Sequence, residues 1–189
     1  FRIPDVMRQS GAILVEVGTT NRTYVSDYEN AITEDTALIL KVHSSNFLVS
    51  GFVHSPDTLD LVRLGKRFGI PVVHDVGSGC LLDTQDFGLT HEPTPQDSIL
   101  AGVDLILFSG DKLLGSPQGG IVVGKRELIQ RLIRHPLARA IRIDKLSLSA
   151  LSATLLHYLK GEAQEKIPIW RMISVGIDEL QARADSWRS

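Results

Sequence analysis

A chain of 189 residues that is 43% apolar, 22% charged and 6% aromatic excludes a disordered tail, a collagen-like repeat and a disulfide-stapled miniprotein. A formal net charge of −2 gives the chain as a whole no general attraction to polyanions. No apolar run approaches the roughly 20 residues of a bilayer-spanning helix, so no membrane partner is expected.

Apolar runs alternate with helical patterns along the chain. Residues 12–17, 36–42, 70–76, 104–109 and 120–124 are β-branched or leucine-rich and nearly unbroken, the pattern of strands covered on both faces. Residues 55–69, between the second and third runs, predict a helix. Ser55 is the expected N-cap, Pro56 fits the first turn, and Asp57 and Asp60 suit the positive helix end. Leu61, Leu64 and Phe68 form an apolar stripe, Lys66 and Arg67 sit in the last turn, and Gly69 closes it. Strand, helix and strand at that spacing make a βαβ crossover, which requires parallel pairing. The expected fold class is therefore α/β, a mostly parallel sheet flanked by helices.

From about Ser147 the texture is helical only: Leu148, Leu151, Leu155 and Leu159 recur up to Gly161, and a second helix runs from about Ile169. The expected division is a sheet domain over 1–146 and a helical exit segment over 147–189. The chain begins at Phe1 without a basic, apolar leader, so no secretory signal is expected. The one cysteine, Cys80, has no partner for an internal bridge, which favours a reducing, cytoplasmic setting.

Ligands of open parallel sheets bind beyond the carboxyl ends of the strands. One run leads into His74-Asp75-Val76-Gly77-Ser78-Gly79 and another into Ser109-Gly110-Asp111-Lys112. A lysine just past an apolar strand is expected to be partly desolvated, which lowers its pKa and prepares it for Schiff-base chemistry. A strand-end aspartate with a later strand-end lysine is the pair that pyridoxal 5'-phosphate requires, and Ser109, three residues before Lys112, is within reach of a cofactor phosphate. Two other readings stand beside this one. Asp75 would cap the next turn with Lys112 solvated, or the glycine-flanked aspartate would serve a nucleotide or a metal.

Further along, Lys125, Arg126, Arg131, Arg134, Arg139, Arg142 and Lys145 face only Glu127 and Asp144, a local charge of +5 in a chain of −2. Arg126, Arg131 and Arg134 read as the solvated face of a helix beginning near Lys125. Guanidinium forks suit phosphate-like oxygens, so the basic stretch as a whole is a candidate anion site. Asn21 and Arg22 face the cofactor or a neighbouring subunit, or form a turn. His43 and His74 read as satisfied core histidines and Cys80 as a packing residue. The six histidines show no ligand spacing with Cys80, so no metal site is expected.

The stretch from Ser109 to Gly115, with Pro117-Gln118 and Gly120-Ile121-Val122-Val123-Gly124-Lys125, resembles the cofactor-lysine segment of the bacterial selenocysteine synthases, the L-seryl-tRNA(Sec) selenium transferases. Four further segments resemble the same family in the same order: Arg2-Ile3-Pro4-Asp5-Val6-Met7-Arg8-Gln9, Glu16-Val17-Gly18-Thr19-Thr20-Asn21-Arg22-Thr23, Lys41-Val42-His43-Ser44-Ser45-Asn46 and His135-Pro136-Leu137-Ala138-Arg139-Ala140-Ile141-Arg142.

The resemblance implies a fold-type-I pyridoxal-phosphate enzyme of which this chain is a central part. It makes Lys112 the Schiff-base lysine and Asp75 the partner of the pyridine nitrogen. Asn46 falls near the cofactor's 3-hydroxyl, and Arg139 and Arg142 fall where selenophosphate is bound. The implied reaction converts seryl-tRNA(Sec) to selenocysteinyl-tRNA(Sec) through an aminoacrylyl-tRNA intermediate, in a homo-oligomer of dimers. Two alternatives remain at this stage. One is a pyridoxal-phosphate lyase of a small amino acid or amino sugar. The other is a non-catalytic fragment used in folding or assembly, because the phosphate-binding glycine loop would precede Phe1.

Overall fold

Four of the five apolar runs pair into one sheet in the computed structural model, which describes residues 3–45 and 47–188. The strands β1 (Ile39–Val42), β2 (Val72–Gly77), β3 (Leu105–Ser109) and β4 (Gly120–Gly124) lie side by side in chain order. β1 pairs parallel with β2, and β2 parallel with β3, whereas β4 runs antiparallel to β3. The sheet is thus mixed, parallel in two of its three pairings. Val72, Val73, His74 and Val76 of β2 are all buried, as its apolar run requires of a strand covered on both faces.

Two helices, α1 (Ile3–Gln9) and α2 (Val25–Ala31), precede the sheet. The crossover from β1 to β2 is α3 (Thr58–Phe68), and that from β2 to β3 carries a short 3-10 helix (Thr84–Phe87) and α4 (Pro95–Ala101). After β4 come α5 (Arg126–Arg134), α6 (Pro136–Ala140), α7 (Lys145–Leu159), α8 (Ala163–Lys166), α9 (Pro168–Ile173) and α10 (Ile177–Arg188). No helix among the described residues is long and apolar enough to cross a membrane.

The crossover helix starts later than Ser55 suggested. Asp57 is the N-cap, its carboxylate accepting from the Leu59 amide at 3.2 Å, and Gly69 closes the helix in the left-handed conformation. Leu61 and Leu64 are buried as the stripe predicts, but Phe68 remains 44% exposed at the helix end.

Residues 12–17 form no strand. Ile13 is 90% and Val15 60% exposed, because no neighbouring strand lies along this run. A β-prone sequence becomes a strand only where another backbone satisfies its amides and carbonyls.

Two apolar clusters hold the chain together. The first lies on the sheet and α3, from Ile39, Leu61 and Val62 to Ile106, Phe108 and Leu114. The second gathers Cys80, Ala163, Ile167 and Trp170 beneath the loop after β2. The Tyr158 hydroxyl joins the helices to the segment after β3: it accepts from Trp170 Nε1 at 2.5 Å and donates to the Leu114 carbonyl at 3.0 Å.

Candidate active site

The carboxyl ends of β1, β2 and β3 face the same way because these strands are parallel. Their following loops therefore meet at one end of the sheet. Asp75 still lies in register with Val42 and Leu107, but the pairing with β3 then slips between Asp75 and Gly77. That irregularity turns the backbone outward at the strand end. Gly77 has φ +66°, a left-handed conformation in which a side chain is strained.

The space beside Gly77 is where the polar groups gather. A Cβ placed on Gly77 would lie 3.6 Å from Lys112 Nζ, 3.7 Å from Ser45 Oγ and 3.9 Å from Asp75 Oδ1. An amine, a hydroxyl and a carboxylate from three separate segments thus surround the volume that the missing side chain leaves free. Among the described residues, none of these three side chains has a hydrogen bond or ion pair.

Lys112 is held by a closed turn. The Gly110 amide donates to the Gly119 carbonyl at 2.8 Å, and the Ser116 amide and hydroxyl both donate to the Gly110 carbonyl, at 2.8 and 2.9 Å. Leu114 anchors the turn in the core with no exposed surface. The Leu113 amide donates to the Ser78 carbonyl at 2.9 Å, which ties the lysine turn to the loop after Asp75. At Gly79, φ +64°, a Cβ would approach the Ser109 carbonyl to 2.6 Å, so the two loops touch backbone to backbone.

Lys112 itself is exposed, not covered as its place after an apolar strand suggested. It lies on the turn beyond the strand end, and Leu114, not Lys112, points into the core. Ser109 is the last residue of β3, paired with Gly120 and half-buried. Asn46 lies outside the described residues.

Arg139 and Arg142 are not drawn into this cluster. Arg139 is on α6 and Arg142 just beyond it; both are exposed and neither has an ion-pair partner among the described residues. Their segment does return to the lysine turn, since Ile143 Cδ1 would lie 3.1 Å from a Cβ on Gly119. Asn21 and Arg22 take up the turn reading: both side chains donate to the Phe52 carbonyl, at 2.9 and 3.3 Å, and Arg22 bridges to His54.

His74 and Cys80 are both buried and hydrogen-bonded. His74 is buried and its Nδ1 lies 2.8 Å from Ser98 Oγ; burial, with Lys41 and His43 nearby, pushes its pKa down to about 4 and keeps the ring neutral. It lines a separate concavity of about 490 Å³, with Lys41, His43, Asp97 and Ser98. Asp75, the next residue along the strand, points to the opposite face by strand alternation. Cys80 is fully buried, and burial pushes its thiol up to about 11 while it donates to the Leu82 carbonyl. A thiol held protonated is a poor nucleophile.

Sequence reasoning passed over Ser45. The signal was available: Ser45 stands three residues beyond β1, at the same end of a parallel sheet as Asp75 and Lys112. What it lacked was any measure of which strand-end residues share a point in space.

The family model for L-seryl-tRNA selenium transferase (SelA) matches residues 1–189. The chain is 52% identical over 185 residues to the L-seryl-tRNA(Sec) selenium transferase of Alkaliphilus oremlandii, covering 97% of this chain and 40% of that protein. It is 55% identical, over the same shares of each, to the protein of that name from Escherichia coli O45:K1. The chain thus spans about 40% of the length of the curated relatives it matches. Among solved structures it is similar to D-glucosaminate-6-phosphate ammonia-lyase, with a TM-score of 0.64 and 24% identity over 84% of this chain and 39% of that one. It is also similar to alanine aminotransferase from Pyrococcus furiosus, with a TM-score of 0.54 and 19% identity over 85% of this chain and 43% of that one. At these identities the likeness shows the fold alone, an α/β sheet flanked by helices as expected from the sequence.

Proposed function

The chain belongs to the L-seryl-tRNA selenium transferase family, and from that premise we propose that the full-length protein converts seryl-tRNA(Sec) to selenocysteinyl-tRNA(Sec), with selenophosphate as selenium donor and pyridoxal 5'-phosphate as cofactor. The observation that carries this reading is the meeting of Lys112 Nζ and Asp75 Oδ1 at the side-chain-free face of Gly77. An amine and a carboxylate flanking a glycine face without a side chain are the two groups that an aldehyde-bearing pyridine ring needs.

Bound there, the cofactor would supply an electron sink for the pair left on the serine α-carbon when its proton departs. Lys112 Nζ would hold it through the aldehyde carbon, and Asp75 would keep a proton on the ring nitrogen. With serine in place, Lys112 Nζ would be the base that takes the α-proton and the group that later returns it. Ser109 is assigned to the phosphate and Asn46 to the 3-hydroxyl. Arg139 and Arg142, exposed and without an ion-pair partner among the described residues, are assigned to the selenophosphate oxygens. On the same reading the enzyme is cytoplasmic and a homo-oligomer of dimers, and the sheet domain over 1–146 holds the cofactor while 147–189 leads out of it.

Lys112→Ala in the full-length protein tests the assignment. The expected result is loss of the visible absorbance of lysine-bound cofactor together with loss of selenium transfer to seryl-tRNA(Sec). Retention of that absorbance would assign the cofactor to another lysine.

A further inference from the structure

Three polar groups meet at Gly77, and the proposed function uses only two of them. Ser45 Oγ is as close to the shared point, 3.7 Å, as Lys112 Nζ at 3.6 Å and Asp75 Oδ1 at 3.9 Å. Ser45 is half-buried, and its hydroxyl has no partner among the described residues. It reaches this place because β1 is parallel to β2 and in register with it, Val42 opposite Asp75, with the His43 amide donating to the Asp75 carbonyl at 2.8 Å. The segment that carries Ser45 is therefore tied to the segment that carries Asp75.

The three groups differ in what they can exchange. An ionised carboxylate only accepts hydrogen bonds and an ammonium only donates, whereas a hydroxyl does both. A carboxylate can accept from Lys112 but cannot donate to the lone pair that the neutral amine exposes. Lys112, exposed and on a four-carbon stem, then needs another group to fix its end.

We propose that Ser45 is a positioning residue for Lys112: its hydroxyl accepts from the charged amine, donates to the neutral one, and so keeps Nζ over the open face of Gly77 as the proton comes and goes. This inference rests on the reading of Lys112 and Asp75 as the cofactor pair. It adds a third residue, from a third segment, to that pair.

The test compares Ser45→Ala and Ser45→Thr in the full-length protein, stripped of cofactor and titrated with pyridoxal phosphate. Binding and its rate are read from the visible absorbance of the lysine-bound form, and folding from the urea midpoint. Ser45→Ala is expected to weaken binding and slow its approach by about three- to tenfold, the worth of one neutral hydrogen bond. Ser45→Thr, which keeps the hydroxyl, is expected to restore most of both, with the urea midpoint unchanged in either variant. Wild-type behaviour of Ser45→Ala overturns the inference and leaves the cofactor pair standing. Equal impairment of the alanine and threonine variants also overturns it, because the effect would then be one of packing. A wild-type protein that develops no such absorbance overturns the cofactor reading and this inference with it.

Discussion

Both ring nitrogens of His91 face carboxylates: Nδ1 lies 3.1 Å from Asp83 Oδ1 and Nε2 3.1 Å from Asp97 Oδ2. Only the doubly protonated ring can donate to both. Asp83 also caps the 3-10 helix through the Gln85 amide, and Asp97 closes the capping box of α4 with Thr94. The hydrogen bond to Asp83, with help from Asp97, raises the His91 pKa above its ordinary 6.5, while the Gln85 amide and His91 lower that of Asp83. A raised histidine pKa contributes stability that is full below 6.5 and is lost as pH rises through the folded value. The wild type is therefore expected to lose stability as pH rises above 6.5, and His91→Gln to flatten that loss in urea unfolding. An unchanged pH profile would mean that the latch carries no linked proton. The effect is small, since the ring is 41% exposed and water screens it.

At the scale of elements, the active end depends on how closely two loops approach. Gly77 and Gly79 both have positive φ, yet they answer to different constraints. A Cβ on Gly77 meets nothing nearer than 3.6 Å, whereas one on Gly79 meets the Ser109 carbonyl at 2.6 Å and Phe108 Cδ2 at 3.0 Å. Gly77→Ala should then cost about 1–2 kcal/mol, the strain of a left-handed alanine. Gly79→Ala should cost more, because a backbone carbonyl cannot move aside as a flexible side chain does. Urea unfolding of the two variants checks the order, and equal costs would show that the loops separate freely. The elements that sequence patterns predicted well were those with local signals. For α3, two acids, an apolar stripe and Gly69 supplied nearly everything, and Asp57 replaced Ser55 only because its carboxylate reached the Leu59 amide. The run at 12–17 carried an equally strong β pattern and formed no strand, since pairing is not a property of one segment.

For the molecule as a whole, the lysine turn is clamped between the two apolar clusters. Leu114 belongs to the sheet cluster, while Leu113 packs on the cluster of Cys80, Ile167 and Trp170. Tyr158 reaches across the junction to both carbonyls, Leu113 at 3.2 Å and Leu114 at 3.0 Å. Trp170 has no exposed surface and donates its indole N–H to that same hydroxyl. Trp170→Ala is expected to destabilise by about 3–5 kcal/mol, the range for a large aromatic side chain removed from a core. A cost below about 1 kcal/mol in urea unfolding would show that the helices after β4 contribute little to holding the lysine turn.

What the sequence by itself determined was chemistry and local form: the α/β alternation, the crossover helix, Asp75 and Lys112 at strand ends, and the family. Those features are written in residue types and short spacings, and short-range propensity and capping are enough to realise them. The tertiary structure decided which of those residues share a space. Ser45 joins Asp75 and Lys112 because β1 and β2 are in parallel register and because Gly77 has no side chain to fill the gap between them. Lys112 stays exposed because Leu114 is the residue of its turn that the core accepts. Such choices depend on contacts between segments 30 or more residues apart, which no local pattern encodes.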